Sequence, residues 1–90
     1  DRIQATRGKD YAMVYSTSGS RIDVHLGRIS GEQVHAWWFD PRTGEARDIG
    51  TRPNRGDASF QPPSLGLGQD WVLVLDDASK NYPPPGTSKK

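Results

Sequence analysis

Apolar residues along this chain recur at every second position in short runs, each closed by glycine, proline or a small polar residue. Side chains of a strand alternate between faces, so this period predicts half-buried strands. Arg21 to Leu26 (RIDVHL) alternates most cleanly, with Ile22, Val24 and Leu26 toward a core and Asp23 and His25 away from it. Ile3 to Thr6, Tyr11 to Ser16, Gln33 to Phe39, Glu45 to Ile49 and Ala58 to Gln61 read as further short strands. Trp71 to Leu75 (WVLVL) is apolar on both faces, which predicts a central strand. No window of a dozen residues keeps an apolar stripe at helical spacing without a glycine, a proline or a β-branched cluster. The pattern predicts an all-β fold, an antiparallel two-sheet β-sandwich.

The connections carry turn chemistry. In Asp40-Pro41-Arg42-Thr43-Gly44 the aspartate can accept backbone N–H bonds, the proline presets φ and the glycine supplies positive φ before the chain returns. TSGS after Ser16, Gly31, a loop over Arg52 to Asp57, Pro62-Pro63 and the glycine-rich SLGLGQD mark the other turns. From Lys80 onward the chain has no apolar pattern and holds three consecutive prolines. Residues 1–79 are therefore expected to form one domain and residues 80–90 an extended Pro-rich tail or linker.

Composition narrows the possibilities. Only 32% of the 90 residues are hydrophobic, so the core must be small and built from a few large side chains. Without cysteine, neither a disulfide framework nor a thiolate zinc site can form. A net charge of +1 with mixed signs argues against a nucleic-acid or anionic-membrane binder, so neither partner is expected. No apolar run approaches a membrane span, and the start, DRIQATRGKDY, lacks a signal-peptide core, so the chain is expected to be excised or processed from a longer one.

The pair Trp37-Trp38 poses the sharpest question. If Trp38 faces the core with Val34 and Ala36, Trp37 faces the other way beside His35 and Phe39. An indole there is expected to be exposed. Trp71, opening its strand, fits a core or a surface position equally well. Tyr11 and Tyr15 share one face of their strand, while Met13 between them points to burial. Tyr82 belongs to the tail and is not expected to fold over the sheet. His25 and His35 read as solvated strand positions, and Asp76-Asp77 as a solvated strand end.

Three stretches together, DYAMVYSTSG, VHAWWFDPRTGEARDIG and FQPPSLGLGQDWVLVLDD, resemble the C-terminal β-sandwich modules of bacterial TIM-barrel glycoside hydrolases, some of them labelled collagen-binding. The chain also looks like carbohydrate-binding module family 81, which binds β-glucans. The likeness spans roughly residues 2–78 and is most specific in W-F-D-P-R-T-G and D-W-V-L-V-L. Such modules generally carry a polar residue where this chain has Trp37, a departure that favours a binder. The resemblance implies a secreted, extracellular bacterial setting and a covalently attached glycoside hydrolase domain as partner. It implies as ligand a β-1,4 or mixed-linked β-1,3/1,4-glucan: cello-oligosaccharides, cellulose or xyloglucan-type chains.

An indole flat on a sheet suits such a ligand, because the axial C–H face of a pyranose is apolar and stacks on the ring. The expected ligand-binding residues are Trp37, Trp71, His35 and Tyr15. The other reading is a structural module that packs against the catalytic barrel and has no ligand of its own. No cofactor is expected: Asp40 and the adjacent Asp76-Asp77 do not make a calcium site by themselves, and a structural calcium ion stays open. Catalysis is not expected, since the eleven acidic residues are scattered over turns and outer faces and no G-x-S-x-G motif occurs. Arg55-Gly56-Asp57 spells a cell-adhesion tripeptide, which in a short turn is best explained by chance.

Overall fold

The structure, a computed structural model, describes residues 4–7, 10–16, 21–64 and 70–82. Ile3, the TSGS turn at 17–20, residues 65–69 of the glycine-rich connection and the tail from 83 onward lie outside the described residues. The strands are β1 (Gln4–Arg7), β2 (Tyr11–Ser16), β3 (Ile22–His25), β4 (Gln33–Asp40), β5 (Glu45–Pro53), β6 (Asp57–Phe60) and β7 (Trp71–Asp77). A 3-10 turn follows β7 at Ala78–Lys80. One sheet has five strands in the order β1-β2-β7-β4-β5, the other pairs β3 with β6, and every pairing is antiparallel. The all-β sandwich read from the alternation is the fold observed.

The central place of β7 follows from its composition. Trp71, Leu73 and Leu75 face the β3–β6 sheet and are almost fully buried, while Val72 and Val74 alternate onto the opposite face. Val34, Ala36 and Trp38 of β4 join them on the inner side, as the period of two requires. Ile22 and Phe60 from the small sheet, with Ile29 and Ala58, close the core. Trp38 and Trp71 meet edge to face, with ring centres 6.4 Å apart and an interplanar angle of 72°. That arrangement adds roughly 0.5–1.5 kcal/mol to simple burial.

The β4–β5 hairpin forms as its turn sequence dictates. Gly44 N donates to Asp40 O at 2.7 Å with Gly44 at φ +84°, and the Asp40 carboxylate takes the Arg42 backbone N–H at 2.9 Å. Strand β5 runs past Ile49 to Pro53, longer than its sequence pattern indicates. The cause is a bulge: Ala36 pairs with Gly50 but Trp37 with Asp48, leaving Ile49 as the extra residue. The extra residue breaks the alternation that marks a strand in sequence.

Two polar anchors tie the loops. Asn54 Nδ2 donates to the carbonyls of Ile29 and Gly31, both at 2.8 Å, and Asn54 N donates to Glu32 O at 2.9 Å. The buried Asp77 carboxylate accepts from Ser30 Oγ at 2.7 Å and from Ser79 N and Oγ at 3.0 and 2.7 Å. These bonds, Ser79 first, hold the Asp77 carboxyl below the ordinary carboxylate range. Gly31, at φ +99°, passes so close that any Cβ there would collide with this carboxylate.

Substitutions separate these causes. Trp38→Ala is expected to cost about 3–5 kcal/mol, as large-to-small core changes do. Gly31→Ala and Gly44→Ala both strain a positive φ, by about 1–2 kcal/mol, but only Gly31→Ala also drives a methyl group into Asp77. Urea unfolding should therefore rank Gly31→Ala clearly below Gly44→Ala in stability. Equal values would show that Asp77 yields freely.

Candidate functional site

Because β2, β7 and β4 lie side by side, their outward side chains form a grid on the face opposite the core. Its rows are Tyr15–Val72–Phe39, Met13–Val74–Trp37 and Tyr11–Asp76–His35. Seven of these nine positions are apolar or aromatic, which is unusual for the outer face of an antiparallel sheet. At one margin Met13 and Tyr11 are 43% and 36% exposed, while Val74 and Trp37 at the centre fall to 7% and 6%.

The parity expected for the tryptophan pair holds, since Trp38 is in the core and Trp37 on the opposite face. The exposure expected for Trp37 does not hold. His35 lies on its ring at 4.2 Å between centroids and 22° between planes, and the indole is covered. His35 is in turn fixed by Asp48 on β5, with Nε2 2.8 Å from Oδ1. The same Asp48 oxygen accepts the Gly50 N–H at 2.7 Å. The His35 contact first, and the Gly50 bond after it, hold the Asp48 carboxyl below its ordinary range. Alternation decides which face a side chain takes, but a neighbour two residues along the same strand decides whether it stays open.

Trp71 is resolved toward the core: it is 3% exposed, and its Nε1 donates to Ser64 Oγ at 3.0 Å. It therefore does not share a surface with Trp37. Tyr15 does share that face, half-buried, with its hydroxyl donating to Asp70 Oδ2 at 3.1 Å. That bond raises the Tyr15 pKa, with burial and the Asp70 charge acting in the same direction. Three of the four expected residues, Trp37, His35 and Tyr15, thus lie on one face and the fourth on the other. Met13, read from sequence as buried, is among the most exposed apolar side chains described. Val72, Val74 and Phe39 were absent from the expected site. The two-sided apolarity of β7, laid beside the outward positions of β2 and β4, was the signal for them.

The aspartates at the end of β7 also differ from expectation. Asp76 and Asp77 are 5% and 3% exposed and point to opposite faces, so they cannot share a cation. Among the described residues no cluster of three or more His, Asp or Glu side chains is placed to hold a metal. Burial pushes the Asp76 carboxyl above its ordinary range, against the opposing effects of His35 and the Trp37 N–H. That N–H is close enough to favour the ionised form, yet it is buried without a well-formed hydrogen bond. Tyr82 does reach the body of the fold, its hydroxyl donating to Asp10 Oδ2 at 2.5 Å.

Comparison with known proteins places this geometry in context. A family model described as "Putative collagen-binding domain of a collagenase" matches residues 1–76. A solved structure of a glycoside hydrolase superposes with a TM-score of 0.82 at 40% identity, covering 88% of this chain and 18% of that one. The crystal structure of a glycoside hydrolase family 5 protein from Bacteroides vulgatus ATCC 8482 gives a TM-score of 0.85 at 39% identity, covering 92% and 18%. The chain thus spans under one fifth of the length of these hydrolases. No protein of curated function matches it.

The position of Asp76 generates a pH test. Its pKa is raised on folding, so the protonated form is favoured in the folded state and ionisation opposes folding. Asp76→Asn, which mimics the protonated form, should therefore gain stability over the parent as pH rises above the ordinary aspartate value of about 3.9. Thermal unfolding should show near-equal midpoints at about pH 3.5 and a higher midpoint for Asp76→Asn at pH 7. A loss at pH 7 would mean that the ionised carboxylate is held by the Trp37 N–H more strongly than burial disfavours it.

Proposed function

The chain belongs to the family described as "Putative collagen-binding domain of a collagenase", and we propose on that premise that it is the non-catalytic accessory module of a secreted glycoside hydrolase, packed through the outer face of β2, β7 and β4 against the rest of the hydrolase. The observation that carries the proposal is the apolar grid itself. A solvated sheet face normally reads polar, whereas a contiguous apolar patch marks a surface that meets another. Covalent attachment keeps the effective concentration of the partner high, so a contact of modest area is enough to hold the two units together.

The polar side chains support the non-catalytic part. Among the described residues, Asp40 is tied to Arg42, Asp48 to His35, Asp77 to Ser30 and Ser79, Asp23 to Ser59 and Asp57 to His25. Each of these carboxylates serves a turn or a strand pair, and the two that line one hollow, Asp23 and Asp57, are bonded to Ser59 and His25 on the neighbouring strands.

A second reading draws on Tyr11. Its exposed ring and Met13 at the margin of the grid offer an apolar surface to a β-1,4 or mixed-linked glucan. This reading is the weaker one because both candidate tryptophans are covered.

Met13→Glu separates the two, because Met13 is exposed and its replacement leaves the core untouched. In the hydrolase chain that carries this domain, the substitution should split one thermal unfolding transition into two and open the junction to proteolysis. Retention on barley β-glucan or cellulose should not change. Unchanged coupled unfolding together with lost retention would establish the glucan reading instead. No effect on either would remove the grid from both.

A further inference from the structure

We propose that the margin of the sandwich along β5 is a second binding surface, one that takes a carboxylate-bearing polysaccharide. Strand β5 is one of the two edge strands of the five-stranded sheet. On its inner side, where alternation calls for apolar residues, it presents Arg47 opposite Trp38 and Arg52 opposite Val34. The Arg47 guanidinium lies over the Trp71 ring at 5.5 Å, and that of Arg52 over Phe60 at 4.7 Å. The cation–π contact sets where each guanidinium lies on the margin without using up its N–H donors.

What sets these two apart is a ring contact combined with a missing counter-charge. Arg42 and Arg21 each pair with an aspartate, at 2.9 and 3.2 Å, but among the described residues neither Arg47 nor Arg52 has a carboxylate within ion-pair distance. Asp48, next to Arg47 in sequence, points to the opposite face and is taken up by His35. An arginine that merely covers the edge of a core gains from its alkyl stem, and its head is left to water. Two such heads, each held beside an aromatic ring, can also take carboxylates in bidentate fashion.

The ligand class follows from spacing and charge. Trp38 and Val34 are four residues apart on β4, so the two arginines stand about 13 Å apart at roughly 3.3 Å per residue. That span suits carboxylates distributed along a sugar chain better than one compact anion. A duplex nucleic acid demands a dense row of cations, and a chain of net charge +1 does not supply one. The hydrolase relatives point to a polysaccharide, and the two arginines to one that carries carboxylates, as a uronic-acid polymer does. The proposal rests only on that attachment and not on the docking role of the opposite face.

The test is calorimetric titration of the 90-residue chain with tri- to hexagalacturonate at 20 and 200 mM NaCl, beside cellohexaose and a single-stranded DNA oligonucleotide. Hexagalacturonate should bind, lose several-fold in affinity at the higher salt, and lose about tenfold or more in the Arg47→Gln/Arg52→Gln variant. Arg21→Gln and Met13→Glu should bind as the parent does, which keeps this result separate from the fate of the docking face. Should the glutamine pair fail to fold, Arg47→Lys/Arg52→Lys takes its place, and a several-fold loss with charge retained would mark fork recognition. Absence of hexagalacturonate binding at millimolar concentration overturns the proposal. So does equal, equally arginine-dependent binding of DNA, or a loss no larger in the arginine variants than in Arg21→Gln.

Discussion

The antiparallel pairing of β4 with β7 is the constraint on which the other features depend. It sets Trp38 beside Leu73 and Ala36 beside Leu75 on one face, and Trp37 beside Val74 on the other. A one-residue slip of β4 against β7 would exchange the faces of β4, placing His35 and Trp37 in the core and breaking the Trp38–Trp71 contact. The core contains too few large residues to survive that exchange, so the register is fixed by burial. Once it is fixed, β2 and β5 can dock only on the free sides of this pair. The rows of the outer grid and the arginines of the β5 margin are then determined.

How much of this was legible in the sequence depends on the range of the interaction concerned. Period-two alternation marked β2, β3 and β4, two-sided apolarity placed β7 in the middle, and Asp40-Pro41-Arg42-Thr43-Gly44 announced its own turn. All of these are local properties. The strand β5 was seen only as far as Ile49, because the bulge there interrupts the alternation on which the reading relied. The opposite faces of Trp37 and Trp38 were also legible. The cover over Trp37 was not, because it requires His35 to be steered by Asp48, thirteen residues away on another strand. Trp71 was undecidable for the same reason: its burial depends on Trp38, Ser64 and two arginines brought from elsewhere in the chain.

The charged side chains divide into those that build the fold and those left over. Asp40, bonded by Arg42 Nε and Nη2 at 2.9 and 3.0 Å, closes the β4–β5 turn, and this pairing depresses the carboxyl pKa while raising that of Arg42. Asp77 joins the end of β7 to the β3–β4 loop through Ser30, and Asp23 bridges β3 and β6 through Ser59. Acid would weaken all three together, since each is stabilising only while ionised and is lost as pH falls through its lowered pKa. Asp76 works in the opposite sense: its burial opposes folding at neutral pH, and no turn or strand pair requires its charge. A carboxylate retained at such a cost, on the apolar face rather than in a turn, fits a surface that is completed by another molecule.

A sugar platform and a docking face make opposite demands on an aromatic residue. A platform needs the flat of the ring clear of neighbours, so that a pyranose can lie on it. A docking face needs the ring flush with its surroundings, so that a second apolar surface can close over the whole patch and exclude water. Trp37 meets the second demand, because His35 occupies one side of its indole and Asp48 holds His35 there. Among the described residues the most exposed aromatic rings are Tyr11 and Tyr82, and the Tyr82 hydroxyl is taken up by Asp10. The centre of the grid is therefore already levelled in the isolated domain, and docking requires little reordering of side chains. The entropy that an exposed, mobile tryptophan would lose on contact has been lost during folding, which favours a permanent intramolecular partner over a transient ligand.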